Sequence, residues 1–294
     1  MFAATHPGRT AFALVIVACS LVGGCRNPNT ALTLPQRAGP VPVVLPRPET
    51  KAEHAYWDQL SPARVIYIGE THDKDADHQY QLDVLKGLQA HGTRFAIGWE
   101  MFDQTQQELL TSWNQRKLGT DALLEKTDFQ NRWGKMSVFY EKILRWSLAE
   151  GISSLALNAP PAMSRKLARG EALTAEELTA LPTGFRPLPG GYEHFGEQLG
   201  GMAHGGGSLE NMYKAQLLWD QTMASHVLAH LNDNPDTKLV VLLGRGHVEG
   251  GYGVPAFVSQ KTAASQLIIF PGGAPTPAPA SGSIAWLTAP LPAR

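Results

Sequence analysis

Two periodicities divide this chain. Short apolar runs read as buried strands at Arg64–Gly69, Arg94–Gly98, Ser153–Leu157 and Lys238–Leu243. Between them apolar residues fall at helical spacing: Leu82, Leu85 and Leu88 mark a helix over His78–His91, and helical text continues over Gln104–Arg116, Thr120–Phe129 and Met136–Glu150. Regular alternation of strand and helix predicts an α/β fold, a mostly parallel sheet with helices on both faces. Pro160 and Pro161 end the third strand, since neither can donate to a ladder. Gln266–Phe270 and Ser283–Leu287 read as closing strands separated by a Pro/Ala-rich loop.

Residues 162–212 break this rhythm. They hold a short helical segment, Ala162–Arg169, a helix opening at Thr174 with Glu177 three residues on as a capping box, and a Pro- and Gly-rich loop over Pro182–Gly207. The expectation is an inserted helical and loop cap over the carboxyl ends of the strands. A long helix, Leu209–Leu231, then returns the chain to the core.

Ahead of Lys51 the pattern changes in kind. Arg9 precedes an apolar run, Ala11 to Val22, interrupted by Ser20; its length of about 12 residues suits a secretory leader and is short for a membrane span. Val22-Gly23-Gly24-Cys25 resembles a bacterial lipobox, with Cys19 a weaker rival, so Cys25 is the expected lipidation site. Residues 25–50, with six prolines after the cysteine, read as an extended tether, and residues 51–294 as the folded domain. Acyl chains, at about 0.8 kcal/mol per buried methylene, would hold the protein on one leaflet. Arg26, where inner-membrane lipoproteins carry Asp, suggests the outer membrane. With Cys25 acylated no thiol pair remains, which excludes disulfides and cysteine metal sites. Twenty-five basic against 26 acidic side chains give a net charge of −1, which provides no footprint for nucleic acid.

The candidate chemistry sits at strand ends. Gly69-Glu70-Thr71-His72 and Gly244-Arg245-Gly246-His247 each follow an apolar run, and Glu100 closes another. In an open parallel sheet ligands bind in the crevice beyond the carboxyl ends, so turns distant in sequence can share one site. If the strands carrying Glu70 and Glu100 are neighbours, the two acids raise one another's pKa or need a cation between them. Asp73, Asp75 and Asp77 are expected to cap the following helix. The glycine-rich stretch after His247 is neither a phosphate loop nor a dinucleotide fingerprint.

The ordered set of motifs resembles the ChaN-like haem-binding lipoproteins of the wider Tiki superfamily, which also includes the erythromycin esterases. The matching stretches are Tyr67-Ile68-Gly69-Glu70-Thr71-His72-Asp73 with His78 and Gln81, Gly98-Trp99-Glu100-Met101-Phe102 with Gln106, Arg132-Trp133-Gly134 and Leu157-Asn158-Ala159-Pro160. Ala215-Gln216, Trp219-Asp220, Met223-Ala224 and Gly244-Arg245-Gly246-His247 through Gly253-Val254-Pro255 complete the series. It spans about Ala63 to Pro255. Where the family usually reads Arg-Trp-Gly-Tyr-Asp-Trp, this chain has Arg132-Trp133-Gly134-Lys135-Met136-Ser137.

The resemblance implies a non-enzymatic lipoprotein that binds haem for iron uptake, with a tyrosine as axial ligand, a homodimer around two cofacial haems, and a place beside an outer-membrane haem transport system. Tyr192, Tyr213, Tyr252 and Tyr80 are candidate ligands, His72, His78 and His247 further ones, and Arg132 and Arg245 candidate partners of the propionates. The absence of Cys-x-x-Cys-His makes attachment noncovalent. The alternative is a metal-dependent hydrolase, peptidase or esterase-like, in which Glu70, His72, Glu100 and His247 hold a divalent metal or act as acid and base.

Overall fold

The computed structural model describes residues 50–199, 208–271 and 284–287. The expected leader, Cys25 and its tether, residues 200–207 of the cap loop and residues 272–283 lie outside the described residues.

Strands β1 (Val65–Glu70), β2 (Phe95–Asp103), β3 (Ser154–Asn158), β4 (Lys238–Gly244), β5 (Gln266–Ile269) and β6 (Ile284–Leu287) form one parallel sheet in the order β3-β2-β4-β1-β5-β6. Helices α1 (Lys51–Leu60), α2 (Asp75–Ala90), α3 (Gln107–Asn114), α4 (Thr120–Lys126), α5 (Phe129–Trp133) and α6 (Ser137–Ala149) precede β3. Helices α7 (Pro161–Ala168), α8 (Ala175–Thr179), α9 (Gly191–Gln198) and the long α10 (Leu209–Asp233) lie between β3 and β4, and α11 (Val254–Ser259) follows β4.

The continuous apolar text of β1 is explained by burial of both its faces. Ile66 and Ile68 enter one core with Leu85, Leu88, Trp113, Phe129 and Tyr140, whereas Val65 and Tyr67 enter the other with Leu217, Met223 and Val227 of α10 and Phe257 of α11. The connection after β1 therefore runs to one face of the sheet and the connection after β4 to the other, although these strands are neighbours. Such a divergence opens a crevice at the carboxyl ends, the place where open α/β sheets bind ligands. At the β3 edge α3 stands in for a missing strand. The Asn114 amide exchanges two hydrogen bonds with the Ser154 backbone, and Gln107 Oε1 accepts from Ala156 N–H at 2.8 Å.

Three departures from the sequence pattern shape the site. Strand β2 runs through Glu100 to Asp103, because the carboxylate that reads as a strand end finds a partner inside the sheet. Helix α2 starts at Asp75, and Asp77 is buried within its first turn, where it accepts from Thr71 N–H at 2.9 Å and faces Lys74 Nζ at 3.1 Å. Asp77 thus ties down the turn that carries His72. The helical stretch after Thr120 divides at Asp128, which takes a left-handed φ of 51°.

Candidate functional site

Glu70 is the last residue of β1 and pairs in register with Gly244, the last of β4. Strand β4 separates β1 from β2, so Glu100 does not adjoin Glu70 along the sheet. Glu100 instead reaches over β4, where its Oε2 accepts from Gly244 N–H at 2.6 Å. His72 leans in from the opposite side and brings Nε2 to 3.8 Å from Glu100 Oε1. The 3₁₀ turn Arg245–His247 then presents His247 Nε2 at 3.3 Å from the same oxygen. Behind His247, Asp220 of α10 accepts from Nδ1 at 2.6 Å, and the Gln216 amide one turn earlier lies against both. Gly253, at φ +72°, closes the following loop onto the His247 carbonyl; a Cβ there would lie 2.3 Å from that oxygen.

On the other flank, Glu70 Oε1 accepts from Tyr140 O–H at 2.5 Å and faces His72 Nδ1 at 2.8 Å. Glu70 Oε2 lies 2.7 Å from His78 Nδ1, a close ion pair without hydrogen-bond alignment, while His78 Nε2 donates to the His72 carbonyl at 2.8 Å. The result is an alternating line of bases and acids across the carboxyl edge: His78, Glu70, His72, Glu100, His247, Asp220. His72, whose side chain is 36% exposed, is the member open to solvent.

Burial opposes every charge in this line, and the neighbours decide the outcome. It pushes Glu70 up, but His72 and His78 beside it outweigh burial and the net shift is downward. Burial likewise raises Glu100, yet the His247 and His72 charges bring it down to about 2. His247 is pushed down by burial and lifted by Glu100 and Asp220 to about 10. His72 and His78 are also displaced upward, because the acids beside them overcome burial. Asp220 moves upward, because its burial exceeds what His247 returns. The acids thus favour the protonated form of the imidazoles beside them, and the imidazoles the ionised form of Glu70 and Glu100. Such a line can hold and pass protons at His72.

Of the four residues expected to hold a metal, Glu70 meets His72 on the Nδ1 side, while Glu100 and His247 lie toward Nε2. The four do not converge on one point. Among the described residues no group of three or more His, Cys, Asp or Glu side chains is arranged for a metal ion.

The remaining candidates scatter. Both nitrogens of His78 and both of His247 already face partners. Arg132 pairs with Asp103 at 3.3 Å, and Arg245 lies over the Phe270 ring, 5.1 Å from its centroid. Tyr192, Tyr213 and Tyr252 gather in the cap around α9. Tyr252 stacks on His194 at 4.4 Å, with its hydroxyl packed beneath Gly190, while the Tyr213 hydroxyl lies beneath Gly191. On the outer side of Tyr213 a groove of about 530 Å³ runs between α7, α9 and α10, lined by Leu167, Phe185, Pro187, Tyr192 and Leu217, with Arg186 and Lys214 among its polar residues.

Asp220 and Tyr140 complete the line without having been site candidates, Asp220 although the Trp219-Asp220 stretch belongs to the motif series. Asp220 does leave a trace: an acid flanked by Leu217, Leu218 and Met223 on a helix breaks the apolar face that α10 turns to the sheet. Tyr140 leaves none, since its ring is ordinary core and only its hydroxyl reaches Glu70.

A wholly parallel sheet, a crevice where its connections diverge, and a line of acids and imidazoles along the carboxyl edge define an α/β protein with a strand-edge polar centre beneath a helical cap. A sequence model described as "Haem-binding uptake, Tiki superfamily, ChaN" matches residues 56–258, and the chain belongs to that family. Its fold is shared with ChaN of Campylobacter jejuni, a structure described for cofacial haem binding, at 16% identity and a TM-score of 0.58, over 74% of this chain and 84% of that one. Erythromycin esterase EreC superposes more loosely, with 14% identity and a TM-score of 0.43 over 74% of this chain and 73% of its own. No curated protein matches the sequence.

Proposed function

We propose that this chain binds haem, noncovalently, in the groove of its cap, and serves haem or iron uptake at the bacterial cell envelope. One observation carries the reading. Haem needs apolar walls, a donor for iron and cations for its carboxylates, and the cap groove offers Leu167, Phe185 and Leu217, the phenols of Tyr192 and Tyr213, and Arg186, with Lys214 paired there to Glu210. Its volume of about 530 Å³ falls within the roughly 300–1,000 Å³ common to small-molecule sites. Membership of the haem-binding uptake family supports the same conclusion. Titration of the protein with haemin tests it: a saturable Soret shift at fixed stoichiometry is expected, and a linear, unsaturated response would end the reading.

The envelope location rests on the leader pattern and Cys25. Acylation predicts a mass increase on the mature N-terminus that Cys25→Ala abolishes. The reading includes a haem-mediated homodimer, of which a haemin-dependent doubling of mass in sedimentation is the expected mark. An outer-membrane transport system is the corresponding partner.

A second reading, acid–base hydrolysis at the strand edge with or without a divalent metal, is favoured by the solvent-open His72 with Glu70 fixed behind it. Ester or peptide cleavage that disappears in both His72→Ala and Glu100→Gln would support it. Retention of zinc or manganese through dialysis would identify the metal form.

A further inference from the structure

We propose that a second groove, between α10, α11 and the loop from Pro182 to Arg186, binds a small amphipathic carboxylate, one acid group on an apolar tail. Lys261 and Arg186 meet the acid, and Leu228 and Phe257 meet the tail. The site does not depend on haem and stands whether or not haem binds elsewhere on the chain.

The groove has a volume of about 460 Å³, inside the range of roughly 300–1,000 Å³ common to small-molecule sites. Its floor is apolar: Ala224 and Phe257 are buried and Leu228 is half-buried. Two cations, Arg186 and Lys261, complete the lining, which holds no Asp, Glu, His, Cys, Met or Tyr. A metal ion or an ammonium group would therefore meet only like charge there. Other exposed cations of this chain have an acid at hand, as Arg145, Arg169 and Lys214 do. Arg186 and Lys261 are exposed and pair with no carboxylate among the described residues.

The rim of the groove is already in place. Phe185 N–H donates to the Pro182 carbonyl at 3.1 Å, closing a turn that Gly184 completes at a φ of +78°. Gln221, 6% exposed on the inner side of α10, donates from Nε2 to the Arg186 carbonyl at 2.9 Å. That bond fixes where the guanidinium starts and leaves a second N–H on the same amide uncommitted. Arg186 also lines the cap groove, so Lys261 is the cation that belongs to this groove alone.

The pairing of charge with an apolar floor sets the ligand class. An inorganic anion would leave Leu228 and Phe257 facing water, and a neutral apolar molecule would leave both cations unused. A carboxylate on a short hydrocarbon tail uses both, and its planar acid group matches the two-pronged donor face of Arg186.

The test uses the full chain in detergent with octanoate as the probe. The methyl resonances of Ala224 and Leu228 are the readout, because they report the groove and not partition of the probe into micelles. Octanoate should shift them saturably, whereas acetate, without the tail, and octanol, without the charge, should bind about tenfold or more weakly. Lys261→Ala should weaken octanoate by about tenfold and leave octanol unchanged, and Lys261→Arg should restore the acid's affinity. Ser225→Trp, on an exposed part of the lining, should fill the groove and abolish the octanoate response with the urea midpoint unchanged. Equal affinity for octanol and octanoate would overturn the proposal, because the cations would then select nothing. Saturable shifts confined to Leu167 and Leu217 would put the acid in the cap groove and overturn it as well. So would the absence of a saturable response at millimolar octanoate.

Discussion

Gly244 lies directly beneath the imidazole of His72: a Cβ on Gly244 would stand 2.8 Å from His72 Nε2 and 3.6 Å from Glu100 Oε2. Two strands that are not neighbours can cooperate only across the one between them. The bare backbone of β4 is what lets an acid from β2 and an imidazole from the turn after β1 approach to 3.8 Å. Gly244 has an ordinary negative φ of −63°, so its requirement is for space and not for backbone freedom.

Gly244→Ala should therefore displace His72 and strain the end of β4. Overpacking of this kind costs about 1–3 kcal/mol, read as a lower urea midpoint. The imidazole resonances of His72 should move with it. An alanine variant with wild-type stability and an unmoved His72 ring would show that the close approach is not maintained in solution.

Asp220→Asn keeps the shape of the side chain and removes its charge. His247 retains Glu100 on its other nitrogen, so the loss should fall near the roughly 1.5–3 kcal/mol of a charged hydrogen bond, below that of an orphaned buried ion. The two residues touch, so Asp220→Asn and His247→Gln should be non-additive in a double-mutant cycle. Strict additivity would mean the 2.6 Å contact contributes nothing to stability.

The fold was readable because its rules are local. Strands buried on both faces read as unbroken apolar runs, and the capping box at Thr174 and Glu177 is present in both directions. Strand order was not readable. Nothing in the text around Glu100 says that β4, more than a hundred residues later, will lie between it and Glu70. The site divides likewise. Glu70, His72, Glu100 and His247 stand in motifs at strand ends, whereas Asp220 and Tyr140 reach the line from helices whose sequences are those of core-packing elements. The same holds for the cap, where only packing sets the Tyr252 hydroxyl against Gly190 and the Tyr213 hydroxyl against Gly191.

Tyr140 offers a cleaner measure of the line's other flank. Tyr140→Phe removes the hydroxyl that Glu70 accepts at 2.5 Å and leaves the ring in the core. Glu70 keeps His72 and His78, so a loss of about 1.5–3 kcal/mol is expected, with the His72 pKa rising as Glu70 turns more fully to it. Titration of the His72 ring by NMR reads the second effect. A fall in that pKa would show that the hydroxyl, not Glu70, orients the imidazole.

The line of charges also fixes how stability should vary with pH in chelator-treated protein. His247 rises from 6.5 to about 10 on folding, so its contribution is complete below pH 6.5 and is lost as pH climbs through about 10. His72 and His78, shifted in the same direction, act with the same sign. Glu100 falls from 4.5 to about 2, so its contribution is complete above pH 4.5 and disappears as pH drops through about 2. All these groups contribute fully between pH 4.5 and 6.5. Above that window the folded state holds protons that the unfolded chain releases, and unfolding free energy should decline steadily toward alkaline pH. Urea denaturation across this range should show the decline, and His247→Gln should flatten it while retaining the acid limb set by Glu100. Stability that instead rises between pH 6.5 and 10 would mean that His247 folds as a neutral imidazole, leaving Glu100 and Asp220 without the charge that justifies their burial.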